Sequence, residues 1–118
     1  MLDTPPLAAE DLGTSAWERK LIERLRTGHY QWRTEQTYRM WARRFNRWLA
    51  GRRKGGNVSN AREEDIQEYL TELATRQRVS QSTQRQALNA VVFLLREALG
   101  HQLAEFGRFE RRSGRPAR

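Results

Sequence analysis

The chain has 118 residues, a formal net charge of +8 and no cysteine. This length gives room for one small domain, and the lack of cysteine excludes disulfides and thiolate zinc sites. No apolar run is long enough for a membrane span, and the N-terminus lacks the pattern of a signal peptide. Of the 22 basic residues 20 are Arg, whose forked N–H donors suit phosphates and base edges. We therefore expect an acidic partner, no metal, cofactor or membrane, and a location in the bacterial cytoplasm.

Both ends of the chain lack the periodic apolar pattern of a packed helix. Residues 1–14 contain Pro5, Pro6 and Gly13, and residues 113–118 are mostly Gly, Pro and Arg. Such segments are typically flexible. We predict that the ordered domain spans residues 15–103.

Two helices are predicted in the first half of this domain. The first begins at Ser15, where Glu18 three residues later completes a capping-box pattern, and it ends at Gly28. The second begins at Thr34 and ends before Gly51. Their apolar positions, which follow the helical period, are Trp17, Leu21, Ile22 and Leu25, then Tyr38, Trp41, Ala42, Phe45, Trp48 and Leu49.

Two further helices are predicted in the second half. Asn60 and Glu63 form the cap of the third helix, and the fourth begins near Ser80 or Ser82 and ends at Gly100. No segment alternates as a strand would. Their apolar positions are Ile66, Tyr69, Leu70 and Leu73, then Leu88, Val91, Val92, Leu95 and Leu99.

Positive charge is concentrated on the second predicted helix and the loop after it, because residues 33–54 hold eight basic residues and one acidic residue. A helical wheel places a polar stripe opposite the apolar face, and that stripe consists of Gln36, Arg39, Arg43 and Arg47. The glycine-rich loop adds Arg52, Arg53 and Lys54, and the start of the helix adds Arg33 and Thr34. Such segregation is typical of a nucleic-acid binder. The third helix is acidic and should face away from a polyanion.

A solvated face is the plain alternative for this stripe, because long Arg stems often cover apolar surface. The aromatic residues have a plain alternative as well. Trp17, Trp41 and Trp48 lie in apolar stripes and are predicted to be core residues rather than platforms for base stacking. Trp32, just before the second predicted helix, is assigned neither to the core nor to a binding surface.

The first turns of the fourth predicted helix carry mainly uncharged hydrogen-bonding side chains. Ser, Gln, Asn and Arg can read donors and acceptors on base edges, and a helix that enters a major groove by its N-terminus presents them there. An ordinary polar helix face is the alternative. Phe93 lies outside the apolar stripe, so we expect the first helix or a separate domain to cover it. The residues predicted to face bases are Ser82, Thr83, Arg85, Gln86 and Asn89.

Two stretches resemble a known family. "RTEQTYRMWARRF" from Arg33 and "STQRQALNAVVFLLREALG" from Ser82 are similar to the two signature helices of the N-terminal core-binding domain of tyrosine recombinases, the phage-integrase class. The resemblance is greatest to integron integrases, and it covers about residues 18–118. It implies an all-α fold, a SAM-like four-helix bundle, whose second and fourth helices approach the major groove.

The resemblance also implies partners. Such a domain forms half of a clamp on attachment-site DNA, its own C-terminal catalytic domain forms the other half, and further protomers join on the DNA. Residues 104–118 resemble the start of the basic linker to that domain. No segment resembles the family's catalytic motifs, a Tyr nucleophile with Arg, Lys and His partners, so we expect no catalytic residue in this chain. A free-standing helix-turn-helix regulator and a helical protein-interaction bundle are the two alternatives.

Overall fold

The computed structural model describes residues 5–103, and all regular structure in that range is helical. The prediction of an all-α fold is confirmed. None of the described helices is apolar and long enough to cross a lipid bilayer. The helices are α1 (Pro6–Ala9), α2 (Ala16–Thr27), α3 (Trp32–Arg52), α4 (Glu63–Thr75) and α5 (Gln81–Val92), with a 3-10 turn at Val58–Asn60 and a π-helical segment at Phe93–Ala98 that continues α5.

The four predicted helices correspond to α2, α3, α4 and α5. The predicted end of α2 at Gly28 and the cap of α5 by Ser80 are both confirmed, since the Ser80 hydroxyl accepts a hydrogen bond from the Thr83 N–H at 3.1 Å. Helix α3 is longer than predicted at both ends. It begins two residues before Thr34 and continues through Gly51, while the chain turns back only at Gly55 and Gly56.

Gly56 explains why the chain turns there. A Cβ atom at Gly56 would lie 2.3 Å from the backbone oxygen of Leu49, a distance that no side chain tolerates. Gly55 precedes it with a φ of +75°, a left-handed conformation that favours glycine. The requirement for glycine thus falls on this pair and not on Gly51.

One predicted helix cap is wrong, and another lacks its predicted hydrogen bonds. Ser15 is the N-cap residue of α2, as predicted, but its side chain makes no capping hydrogen bond, and the buried Glu18 carboxylate contacts Arg39 and Arg43 instead. At α4 the carboxylate of Asp65 accepts a hydrogen bond from the Arg62 N–H at 2.8 Å, and Asn60 ends the preceding 3-10 turn instead.

The core lies where α3 packs along α5, with α2 and α4 against this pair. Every α-helix from α2 to α5 contributes its predicted apolar face. Trp41 is buried as predicted, whereas Trp17 and Trp48 are half-buried at the edge of the core. The fully buried large side chains include Leu21, Leu25, Phe45, Leu49, Leu73, Val91 and Leu95.

A cluster of buried charges lies between α2 and α3. Arg39 is 5% exposed, and its guanidinium contacts Glu18 Oε2 at 3.1 Å and Glu35 Oε2 at 3.3 Å, both of them buried carboxylates. Arg26 makes a two-pronged contact with Glu35, at 3.1 and 2.8 Å. The carboxylates are thereby paired inside the protein, where an unpaired charge would cost several kcal/mol.

The same cluster holds the N-terminal segment. Arg26 donates hydrogen bonds to the backbone oxygens of Ala8 and Ala9, each at 2.9 Å, and Arg39 contacts Asp11 Oδ2 at 3.0 Å. A hydrogen bond from the Gly13 N–H and the contact with Arg39 lower the pKa of Asp11. Residues 5–14, which the sequence predicts to be flexible, thus include the short helix α1 and contact α2 and α3.

The position of Arg39 corrects the predicted stripe on α3. The helical wheel was centred on apolar residues only, so it placed Arg39 outside with Arg43 and Arg47. In the structure Glu35 and Arg39 belong to the buried face because they neutralise each other and Glu18. The solvent-facing side of α3 is therefore rotated away from Arg39, compared with the side that the helical wheel predicts. Because Arg39 is buried, it is unavailable to a phosphate.

Replacing Arg39 by Leu should lower the free energy of unfolding by about 3–5 kcal/mol, because it leaves buried carboxylates with fewer partners. The matched control is Arg47→Ala on the exposed side of the same helix, which should change stability by less than about 0.5 kcal/mol. Urea unfolding followed by circular dichroism measures both. Equal losses in the two variants would contradict the structural role of Arg39.

Tyr69 on α4 gives a second stability prediction. Burial raises the pKa of its phenol from 10.0 to about 12, against the opposing effect of Arg44 and Arg47. The folded state therefore favours the protonated phenol. This stabilisation is complete below about pH 10 and is lost as the pH rises through about 12, and the total loss is about 2–3 kcal/mol.

The variant Tyr69→Phe should remove this part of the pH dependence. Thermal unfolding of both proteins across about pH 9–12 should show a smaller loss of stability in the variant than in the wild type. Parallel curves for the two proteins would exclude Tyr69 as the titrating group.

Candidate nucleic-acid interface

An open groove of about 450 Å³ lies between the first turns of α3 and α5. Its walls are polar and cationic, and they are formed by the two helices for which the sequence predicts contacts with DNA. Six of the residues that line it were predicted as contacts with DNA, and two, Thr37 and Tyr38, were not. The predicted residues are Arg33, Thr34, Ser82, Arg85, Gln86 and Asn89.

The wall from α5 is a single helix face. Ser82, Arg85, Gln86 and Asn89 follow a spacing of three, four and seven residues, which places them side by side on a helix. All four are exposed. The common polar face expected from the sequence is therefore present, and it is open to solvent.

Thr83 does not line the groove, although the sequence predicted it as a DNA contact. Its N–H donates to the Ser80 oxygen, and its own hydroxyl oxygen accepts a hydrogen bond from the Ser80 hydroxyl at 3.0 Å. Thr83 thus completes the cap that starts α5, and it supports the groove through the backbone.

The wall from α3 is formed by Arg33, Thr34, Thr37 and Tyr38. Arg33 and Thr37 are four residues apart and so share one side of the helix. Thr37 could not be predicted as a contact from the apolar residues alone, because a wheel centred on them places Thr37 next to the apolar face and Arg39 on the polar face. Centred on the buried residues of the structure, the same wheel places Thr37 at the edge of the exposed side.

Trp41 joins the two walls one turn further along α3. Its indole N–H donates to Gln86 Oε1 at 3.2 Å. The guanidinium carbon of Arg44 lies 5.3 Å from the centre of the Trp41 ring, within the range of a cation–π contact. The hydrogen bond to Gln86 could not be predicted from the sequence, since it depends on how α3 and α5 are packed. Arg44 lies three residues after Trp41 on the same helix, a spacing that brings two side chains together.

Aromatic packing supports the floor of the groove. The ring of Phe93 packs edge-on against Tyr38, at 5.5 Å between centres, and against Tyr30, at 5.3 Å. Burial and the neighbouring Tyr30 raise the pKa of Tyr38, so its phenol stays protonated at neutral pH. We expected the first helix or a separate domain to cover Phe93. In the structure α2 packs against the π-helical segment that begins at Phe93, and the ring itself contacts the two tyrosines.

Several predicted cations lie elsewhere and bind acidic groups of the protein. Arg43 is half-exposed and contacts Glu18. Of the three cations predicted in the loop, Arg52 is the last residue of α3 and contacts Glu68, and Arg53 follows the helix and contacts Asp65 at 2.9 Å. Two of these three cations are therefore paired with carboxylates of α4, and these carboxylates do not all face away from the basic region. The predicted contacts Gln36, Arg47 and Lys54 are exposed.

The fold and the groove define a small helical bundle with a donor-rich, cationic surface across two helix ends. The family described as "Phage integrase, N-terminal SAM-like domain" matches residues 17–105. The chain belongs to this family, as the sequence resemblance predicted.

Two curated relatives carry the name "Integrase/recombinase", one from Escherichia coli and one from Pseudomonas aeruginosa. Each is 39% identical to this chain over 80 residues, which are 68% of this chain and 23% of the relative. The chain thus spans about a quarter of the length of these relatives. No solved structure matches it.

Proposed function

We propose that this chain is the DNA-binding module of a site-specific tyrosine recombinase of the integron-integrase kind. In this proposal it forms half of a clamp on attachment-site DNA, and a C-terminal catalytic domain of the full-length protein forms the other half. Membership of the phage-integrase family and the names of the relatives support the recombinase assignment. The chemistry of cleavage is assigned to the catalytic domain and not to this chain.

The observation that carries the proposal is the groove between α3 and α5. It brings two cationic side chains, Arg33 and Arg85, together with the neutral side chains of Gln86 and Asn89. Cations contact phosphates and fix the register of a protein on DNA, whereas neutral hydrogen-bonding groups read base edges. Both kinds of group are exposed on one surface, as a DNA-binding face requires.

The structure changes which residues we assign to DNA. Arg39 is withdrawn because it is buried, and Thr83 acts as part of the helix cap. Arg43, Arg52 and Arg53 contact acidic groups of the protein and are given at most a secondary role. The proposed contacts from the sequence that line the groove are Arg33, Thr34, Ser82, Arg85, Gln86 and Asn89. Thr37, which also lines the groove, and Arg44, which lies over the Trp41 ring, are added to them. Gln36, Arg47 and Lys54 are exposed outside the groove lining and are kept as peripheral contacts.

Family membership favours this assignment over the two alternatives. The turn between α4 and α5 is short enough for a helix-turn-helix, but the groove is formed by α5 with α3, so the reading surface includes a helix that such a motif would leave out. A protein-interaction bundle was expected to use Phe93, and Phe93 is already packed against two tyrosines. The partners proposed here are therefore DNA, the catalytic domain of the full-length protein and other protomers. The linker proposed to lead to the catalytic domain, residues 104–118, lies outside the described residues.

Salt dependence tests the proposal directly. With about four or five cations on phosphates, log K for duplex DNA should fall with log[salt] at a slope near −3 to −5. Fluorescence anisotropy of a labelled duplex at several salt concentrations measures the slope. The variant Arg85→Gln should make it shallower by about one unit. Arg24→Gln, an exposed residue that contacts Glu97 away from the groove, is the matched control and should leave it unchanged.

A wild-type slope flatter than about −2 would mean that the cations around the groove are ordinary solvated surface. The same titration would then contradict the proposed function, whatever the variants do.

Asn89→Ala and Arg33→Ala should have different effects on binding. Loss of the Asn89 amide should cost about 1–3 kcal/mol on a preferred site and much less on a scrambled duplex, because a base-edge contact depends on sequence. Loss of the Arg33 charge should weaken binding to both duplexes equally. Competition titrations decide between these outcomes, with Gln77→Ala, an exposed residue outside the groove, as control. Equal losses on both duplexes for Asn89→Ala would make that contact a backbone contact.

A further inference from the structure

The amide of Gln86 has a defined orientation in the groove. Its Oε1 atom accepts a hydrogen bond from the indole N–H of Trp41, at 3.2 Å. An indole N–H is a donor only, so the amide must turn its oxygen, and not its nitrogen, towards Trp41. Trp41 is 2% exposed, and its ring is therefore held in place by the core.

This orientation decides what Gln86 offers to a ligand. With the oxygen turned to the buried ring, the amide nitrogen with its two N–H groups faces away from Trp41. The cationic neighbours of Gln86 in the groove, Arg33 and Arg85, are donors without any acceptor. The surface around Gln86 is consequently rich in donors.

Base pairs differ in how well they match such a surface. In the major groove guanine presents two acceptors, N7 and O6, whereas adenine presents one acceptor and one N–H donor. A glutamine that reads adenine uses both its oxygen and its nitrogen. One of the two lone pairs of the Gln86 oxygen is engaged by Trp41, which turns the oxygen away from a ligand and leaves the N–H groups facing it. Of the two purines, the one that presents acceptors only, guanine, is therefore the better match.

Arg44 strengthens the support for this orientation. Its guanidinium lies over the Trp41 ring, and a cation over an aromatic face is attracted to it. Trp41 is thus held by core packing and by Arg44, and it has one N–H group, which it donates to Gln86.

We propose that Gln86 is a specificity-determining residue that selects guanine at one position of the DNA, and that Trp41 is the positioning residue which sets its amide orientation. The inference rests on the proposed function, because it presupposes that the groove binds duplex DNA. It adds a direction of base preference that DNA binding alone does not imply.

The test is enrichment of a randomised duplex library by the 118-residue chain, with the bound fraction sequenced. The wild type should enrich guanine at one position. Gln86→Glu keeps the oxygen that accepts from Trp41 and removes the N–H donors, so the guanine preference at that position should fall about tenfold, with cytosine, a donor in the major groove, gaining instead.

Two further variants complete the design. Trp41→Phe keeps an aromatic ring and removes the N–H donor, so the amide can turn, and adenine should rise relative to guanine at the same position. Gln81→Glu is the charge-matched control: it adds a carboxylate to the first turn of α5 outside the groove, and it should leave the base preference unchanged. Circular dichroism melts establish that each variant is folded, and Gln86→Glu carries the test if Trp41→Phe is not.

The outcomes separate this inference from the proposed function. Salt-dependent binding in which Gln86→Glu weakens all sequences equally, or a wild type that selects adenine at the position governed by Gln86, overturns the inference and leaves the DNA-binding function standing. A wild type that enriches no base also overturns it. A chain that binds no duplex even at low salt overturns both.

Discussion

The ion pairs of Arg39 with Glu18 and Glu35 are the constraint on which the other features depend. Buried carboxylates are tolerated only where geometry pairs them closely, so α2 and α3 have one favourable rotation relative to each other. Arg26 and Asp11 extend the same network to the N-terminal segment. Once Arg39 is fixed inside, the opposite side of α3 is fixed outside, and this side brings the first turns of α3 to the groove next to α5.

The number of helices, the cap by Ser80 and the polar face of α5 could be predicted from the sequence, because each depends on residues close together in the chain. The inward position of Arg39 could not, since its partners Asp11 and Glu18 are 28 and 21 residues away. A wheel that counts only apolar residues as buried rotates such a helix wrongly. The capping box at Ser15 is incomplete for a related reason, since the Glu18 carboxylate contacts Arg39 and Arg43. At α4 the cap predicted at Asn60 is replaced by Asp65, which accepts from the Arg62 N–H.

The arginines of this protein divide into two groups with different tasks. Arg26, Arg39 and Arg53 bind carboxylates and backbone oxygens within the domain, whereas Arg33 and Arg85 line the groove. A guanidinium serves both tasks because its five N–H donors lie in a plane and match carboxylates as well as phosphates. The number of Arg residues is therefore larger than the number of cations available to a partner. For this reason the distribution of charge along the sequence predicts the region that binds, but not which residues in it make the contacts.

The hydrogen bonds from Arg26 to Ala8 and Ala9 have a consequence for where this domain begins. The family match starts at residue 17, after these acceptors and after Asp11. A polypeptide cut at that boundary would lose three hydrogen bonds of the Arg26 guanidinium and the ion pair between Arg39 and Asp11. The set of residues that contact the helical bundle thus extends beyond the stretch that sequence comparison delimits, at least as far back as Ala8.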